Sequence, residues 1–438
     1  MFGDHTLIFS EKDDVKVIDK ILADLFEQQN DRKNDAQFKS GHYQVYFKPG
    51  DYKESSCINL GFYTAINGLG QTPDDVELNN ISIPAYLTDN NATCNFWRSI
   101  ENFKVVNTGN KQGAAENGSY RNEQLNWAVA QAAPMRRIHS ERAVAYDWNY
   151  GWASGGYVAD SKIDGSVKDG ENQISAGTYS GQQFYTRNSE LAANAYGTTL
   201  NNFFQGVIAP NLPSAKDVTN GKATALSDNK GYSNWGVKAA DGGQQVFTNI
   251  ENTEKIAEKP FLYMKDGEYQ VFVPAVNKDT KGVSWGDGKA NDGMGEGTSI
   301  PLSDFYIASP KDSAKTINEQ IEKGKNIYLT PGVYKVDEPI NANKEGTIVF
   351  GTGMATIIPE NKEAAMKIAD VDGIRVAGII FDAGEDSEYL VKVGDKKTDK
   401  DHSKNPTVLS DLFFRIGGTT SARMYKQLKT MPSTDAKT

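Results

Sequence analysis

Asp147, Asp160, Asp164 and Asp382 lie on or beside short runs of strand-forming residues. Paired carboxylates are the equipment of acid–base bond cleavage. One carboxyl stays protonated and gives its proton to a leaving oxygen, while the other, ionised, activates water. For a glycosidic bond cleaved with inversion the two stand about 6.5–9.5 Å apart, leaving room for that water. Spacing along the chain selects no pair among the four aspartates. Each equally suits a solvent-facing or turn-forming position.

The densest aromatic–polar cluster is "AYDWNYGWASGG" at 145–156, which places Trp148, Tyr150 and Trp152 around Asp147. Sugars offer flat C–H faces to aromatic rings, and Asp and Asn bind their hydroxyls. The cluster therefore reads as a sugar platform, and Trp97 and Tyr185 admit the same reading. The alternative is that these rings pack over loops and cover the wall of the fold. Arg136, Arg137 and His139 form a small basic spot in an acidic chain. It suits an acidic sugar, or it pairs with Asp and Glu on adjacent strands.

Other chemistries find no residues. There is no P-loop, no G-x-S-x-G elbow and no Cys/His nucleophile pair. His139 has no partner at metal-ligand spacing. The carboxylate-rich "GDGKANDGMGEG" at 286–297 does not match an EF-hand and reads as a solvated loop. No metal and no cofactor are expected. The net charge is −10 and the pI about 5.1, with no basic stripe to neutralise phosphates, so nucleic acid is excluded as a partner. The same charge disfavours anionic membrane surfaces, and no run of 18 apolar residues is present. The N-terminus carries no basic and apolar segment of the export type. Two cysteines, Cys57 and Cys94, cannot form a disulfide framework.

The elements that must position these residues announce themselves as a repeat. "FKPGDY" at 47–52 returns as "LTPGVY" at 329–334. Before the first, Ile18, Ile21, Leu22, Leu25 and Phe26 mark one face of a helix; before the second, Ala314, Ile317 and Ile321 do the same, with Asp312 and Ser313 as candidate caps. Each helix leads into an apolar run, "YQVYF" and "NIYLT", that meets Pro-Gly. Pro presets φ and Gly accepts positive φ, so each run ends in a turn. Gly68 and Gly70 then correspond to Gly351 and Gly353, and "ENFKVV" at 101–106 to "DGIRVAGIIFD" at 373–383. A duplicated unit accounts for matches in the same order.

Short β runs recur throughout, separated by Gly, Asn and Asp, at the spacing of a solenoid. In "GGYVADSKIDG" at 155–165, alternation puts Tyr157, Ala159, Ser161 and Ile163 on one face and Val158, Asp160 and Lys162 on the other. On that reading Ser161 stacks inside and Asp160 faces water. The expected fold is an all-β solenoid, a right-handed parallel β-helix in two tandem units with short capping helices. The first unit spans 1–208 and the second 306–418. Between them 209–305 is a linker of loops and a β-hairpin turning at Asp266-Gly267, and 419–438 is a tail. The second unit is the shorter and reads as truncated.

A capping helix, a strand, Pro-Gly-x-Tyr and Gly-rich rungs, all occurring twice, resemble the pectate-lyase-like β-helix superfamily. More closely they resemble the twin β-helix proteins of glycoside hydrolase family 55, the exo-β-1,3-glucanases. "NFWRSIENFKV", "WAVAQAAPMRRIH", "GWASGGYVADSKIDG" and "QQFYTRNS" are similar to bacterial secreted proteins named for a coagulation factor 5/8-type carbohydrate-binding module. The likeness runs over about residues 2–418. It implies an extracellular protein acting on a β-glucan-like polysaccharide, with a cleft between two β-helices and carboxylates acting by inversion. A non-catalytic glycan-binding or adhesion β-helix and a polysaccharide lyase remain the alternatives. In the glucanases the general acid is a Glu of the second β-helix, expected beyond the end of this chain.

Overall fold

The computed structural model describes residues 1–86, 91–109, 123–146, 153–169, 172–178, 183–197, 201–210, 212, 246–384, 387–394 and 400–416. The molecule is mostly β, and its long ladders are parallel. One stack runs through Thr6–Phe9, Tyr43–Phe47, Thr64–Gly68, Arg98–Val105, Pro134–Ser140, Gly156–Ala159, Gln183–Arg187, Asn201–Gln205 and Val246–Ile250, each pairing in parallel with the next. The last of these strands lies within 209–305, the stretch expected to be linker. A second stack runs through Phe305–Ala308, Asn326–Leu329, Ile348–Gly351, Arg375–Asp382 and Val408–Arg415.

Register explains why such strands stack. Val45, Ile66, Ile100, Met135 and Val158 occupy one column and are fully buried in the first core. Their neighbours Tyr46, Asn67, Glu101 and Arg136 form an outward column one residue away. Side chains alternate across a strand, so a single register aligns both columns.

At one corner of the first stack successive rungs need a left-handed residue. Asn102 (φ 61°), Arg137 (φ 49°), Asp160 (φ 50°), Asn188 (φ 44°) and Gly206 (φ 61°) hold it. Asn, Asp and Gly tolerate this region; Arg does not by preference. Arg137 is held there by bonds to Asn102 Oδ1 and Gln71 O, both at 3.1 Å.

The corner corrects the alternation read over 155–165. A left-handed residue shifts the phase of the pleat by one, so Val158 points inward before the corner and Ser161 and Ile163 after it. Asp160 itself is 1% exposed rather than facing water. Ser161 does stack inside: its Oγ accepts from Ile138 N at 3.1 Å, and its own N donates to Ser189 Oγ at 3.2 Å.

Both helices cover stack ends. Helix α1, Val15–Gln29, is capped by Asp14, whose carboxylate accepts from Lys16 N at 2.8 Å, and it buries Ile18, Leu22 and Leu25 in the first core. Helix α2, Ala314–Glu322, is capped by Ser313 and buries Ala314, Ile317 and Ile321 in the second.

The repeated turn is built the same way twice. Gly50 has φ 154° and Gly332 φ 147°. Tyr52 Oη donates to Lys48 O at 2.8 Å, and Tyr334 Oη to Thr330 O at 2.9 Å. The repeated tyrosine thus ties the turn back on itself.

The hairpin of Phe261–Lys265 and Glu268–Pro274 turns at Asp266 (φ 52°) and Gly267 (φ 83°). Its Leu262 and Val271 join Tyr46, Leu69, Tyr328 and Phe350 in an apolar cluster between the stacks. Among the described residues no helix is long and apolar enough to cross a membrane, and Cys57 and Cys94 are not joined. The expected tail at 419–438 lies outside the described residues.

Candidate functional site

The outward column of the first stack faces the second, and the seam between them becomes polar along its length. It starts at Tyr46 and Tyr328, whose hydroxyls meet at 2.7 Å in apolar surroundings. One rung on, Asn67 Nδ2 and Lys259 Nζ both donate to Glu101 Oε2, at 2.8 and 2.5 Å. Next comes Arg136. Its Nε donates to Asp411 Oδ2 at 2.8 Å and its Nη2 to Asp411 Oδ1 at 2.7 Å. A third, longer contact joins Arg136 to Glu258 at 3.5 Å. Glu258 in turn takes Arg187 with both oxygens, each at 2.7 Å.

These ions are taken from water, so geometry decides their charge. Burial alone would raise the Glu258 carboxyl, but Arg187, then Arg136 and Arg137, outweigh it and hold it below the usual range. Burial likewise opposes the Asp411 carboxylate, and Arg136 outweighs it. Both stay ionised at neutral pH and cannot donate a proton. Asp160 is the exception. Burial first, then the charge of Glu258, push it up to about 7 against Arg137 and Ser284. Its oxygens are taken up by Ser284 N at 2.6 Å and Ser284 Oγ at 2.8 Å, which pins the loop after the hairpin to the corner of the stack.

Beyond Arg136 the outward face carries rings. Tyr157, Tyr185 and Phe203 are in register on three successive strands. Ring centroids are 5.3 Å apart between the first two and 5.1 Å between the last two. All three are half-buried. Arg187 Nε donates to Tyr157 Oη at 2.9 Å, and the Arg136 guanidinium lies 4.9 Å over the Tyr157 ring. Tyr185 Oη donates to Gln205 Oε1 at 2.6 Å. A ladder of rings beside fixed polar groups is suited to the flat faces and hydroxyls of a sugar chain. A partly open pocket further up the seam, lined by Gln44, Asn67, Glu101, Lys259 and Asp411, measures about 30 Å³ and admits water-sized molecules.

Residues 305–435 match the family described as LAM55 pectate lyase-like domain. An exo-beta-1,3-glucanase of Streptomyces sp. (strain SirexAA-E / ActE) is 42% identical over 386 residues, or 87% of this chain. The chain is a homologue of the family 55 glucanases. The structure of sacteLam55A from Streptomyces sp. SirexAA-E superposes with a TM-score of 0.77 at 37% identity, over 95% of this chain and 65% of that one. A variant of the same protein, in complex with glucose, gives a TM-score of 0.76 over the same shares. This family 55 homologue spans 54% of the curated glucanase's length.

The residues singled out from the sequence fall in several places in the homologue. Tyr185 sits in the ring ladder. Arg136 lies beside it but is 7% exposed and spent in ion pairs, so its guanidinium is not open to a ligand. Trp97 and Asp382 both contact Arg415, elsewhere along the seam. Asp382 is fully buried on Arg415 at 2.6 Å, and the Arg415 guanidinium covers Trp97 at 5.2 Å. Trp97 stacks on Tyr63 with ring planes 4° apart. Asp164 lies on a different surface, bonded to His139 Nε2 at 2.9 Å and paired with Lys162 at 3.3 Å. Asp147, Trp148, Tyr150 and Trp152 lie outside the described residues.

Sequence reasoning missed Tyr157 and Phe203 as partners of Tyr185, and Glu101, Glu258, Lys259 and Asp411 as seam residues. The available signal was the repeat itself. Once rungs are aligned, Tyr157, Tyr185 and Phe203 fall at the same place in their strands. Glu258 and Asp411 carry no such signal, because their partners are 71 and 275 residues away.

Proposed function

We propose that the chain is the substrate-binding portion of an extracellular inverting glycoside hydrolase that acts on β-1,3-glucan. On this reading the two stacks are tandem right-handed parallel β-helices, each behind its own helix, and the polysaccharide lies along the face between them. The single observation that carries the reading is the in-register ladder of Tyr157, Tyr185 and Phe203 in a homologue of exo-β-1,3-glucanases.

The seam carboxylates argue for binding rather than proton donation by the described residues. Glu258 and Asp411 are ionised and paired, and Asp160 is closed off by Ser284. The same observation favours a second reading, a glycan-binding β-helix without turnover. Calorimetry with laminari-oligosaccharides, together with assay of glucose released from laminarin, tests both. Binding of β-1,3- over β-1,4-linked oligosaccharides with glucose release supports the hydrolase. Binding without release leaves the module. Unsaturated products, or no binding of β-1,3-glucan, overturn the proposal.

A further inference from the structure

Lys259, Glu101 and Asn67 form a cluster that the glucan reading does not use. Asn67 and Glu101 stand opposite each other on adjacent parallel strands. Lys259 reaches them from the segment entering the hairpin. Its Nζ and Asn67 Nδ2 rest on the same oxygen, Glu101 Oε2, at 2.5 and 2.8 Å. The other side of the Asn67 amide is also held: Gln44 Nε2 donates to Asn67 Oδ1 at 2.8 Å. Lys259 is 8% exposed and Glu101 3%. Phe350 lies under the ammonium at 5.2 Å, and Glu101 Oε1 is buried with no hydrogen-bond partner.

We propose that this cluster is a self-modification site, at which Lys259 and Asn67 join in an intramolecular isopeptide bond with Glu101 carrying the protons.

Each part has a task. Glu101 Oε2, which already accepts from the Lys259 ammonium, takes a proton from it. The freed amine adds to Cγ of Asn67. Gln44 donates to Oδ1 as charge develops there. The bond from Cγ to Nδ2 then breaks. The proton held by Glu101 and the one shed by the attacking nitrogen pass to the leaving nitrogen. An ammonium and a carboxamide become a secondary amide and an ammonium ion. No oxidant or reductant takes part, and Glu101 ends as the carboxylate it was. Holding nucleophile and amide on one acceptor replaces a bimolecular encounter with a unimolecular step. The cavity of about 30 Å³ beside the three residues accommodates the small leaving group.

The proposal is independent of any glucan chemistry. Its product ties the hairpin segment to the first stack across the loop from 67 to 259.

Intact mass of the denatured full chain tests it. The expected mass is that of the sequence less one ammonia, with the peptides bearing Asn67 and Lys259 recovered as one branched species. Lys259→Arg and Glu101→Gln should each restore the full sequence mass, with folding checked by circular dichroism. Asn67→Asp should still join, losing water instead of ammonia. Asn67 precedes Gly68, and a succinimide there also loses ammonia. A deficit that persists in Lys259→Arg therefore assigns the loss to the succinimide and overturns the bond. Full sequence mass in the unsubstituted chain overturns it as well, and a branched species that survives in Glu101→Gln removes Glu101 from the mechanism.

Discussion

The hydroxyls of Tyr46 and Tyr328, 282 residues apart, bond to each other at 2.7 Å. The repeat places these two tyrosines at the same position in its two copies, each three residues before the Pro of its Pro-Gly turn. The duplicated unit therefore meets its own copy at equivalent residues, buried among Phe2, Phe350 and Leu262. Removing one hydroxyl leaves the other without its tyrosine partner in an apolar site, which costs about 1–3 kcal/mol. Tyr46→Phe and Tyr328→Phe should each lose that amount in denaturant unfolding. The double variant should lose less than the two together, since no orphan remains. Simple additivity would mean that the pair is not coupled.

Gly332 should tolerate no side chain. Its φ of 147° disfavours one, and a Cβ there would stand 2.4 Å from Pro310 Cγ. At Gly50 the nearest atom is Glu11 Cβ at 2.9 Å, a milder overlap. Gly332→Ala should therefore destabilise by about 1–3 kcal/mol and Gly50→Ala by less. Thermal unfolding of the two variants checks the order.

Glu258 joins Arg187 directly, and through Arg136 it connects with Asp411 of the second stack. Glu258→Gln leaves two buried guanidinium groups short of a counter-charge. The expected cost is about 3–5 kcal/mol, read from chemical denaturation. Asp411→Asn should spare Arg187, which keeps Glu258, and cost less. Equal losses would show that the two stacks are not linked through this chain of ions.

His139 gives the protein a pH-dependent contact. Burial lowers its basicity, but the hydrogen bonds it donates to Asp74 and Asp164 outweigh burial and raise its pKa above the usual 6.5. Protonation is thus favoured in the folded state. That stability is fully present below 6.5 and disappears as pH rises through the higher folded value. Asp74 is held below its usual 3.8 chiefly by its bond to His139, and Asp164 is lowered too despite burial. Their share is present above 3.8 and lost as pH falls through their lower folded values. The aspartates are nearly half exposed, so the whole contribution is on the order of 1 kcal/mol or less. His139→Gln should flatten the fall in stability above neutral pH. A slope that survives the substitution belongs to other groups.

The ring ladder makes a prediction about binding. Tyr185→Ala removes the middle ring, and affinity for laminari-oligosaccharides should fall about tenfold, the equivalent of 1.4 kcal/mol. Arg187→Lys keeps a positive charge near Glu258 but loses the fork that also holds the Tyr157 hydroxyl. It should weaken binding less than the loss of a ring. Unchanged affinity in Tyr185→Ala would move the glucan off this face.

Much of the architecture was legible along the chain. The periodicity of Ile18, Leu22 and Leu25, the Pro-Gly-x-Tyr turn and the Asp266-Gly267 hairpin are local patterns. Local φ preferences and side-chain periods dictate them, so they can be read in a window of a few residues. The family resemblance rested on the same kind of signal. Asp160 marks where that reading failed. A single left-handed residue changes the phase of a strand, and no hydrophobic pattern announces which residue will adopt it.

By itself the sequence determined that this protein is a polar, strand-rich, duplicated chain with turns and helix caps in repeated order, because those are properties of neighbours. Only the tertiary structure decided which residues share a site. It paired Asn67 with Glu101 by strand register, brought Lys259 and Glu258 in from a distant segment, and spent Arg136 on Asp411. The physical reason is that register and burial act between rungs, where sequence distance carries no information about contact.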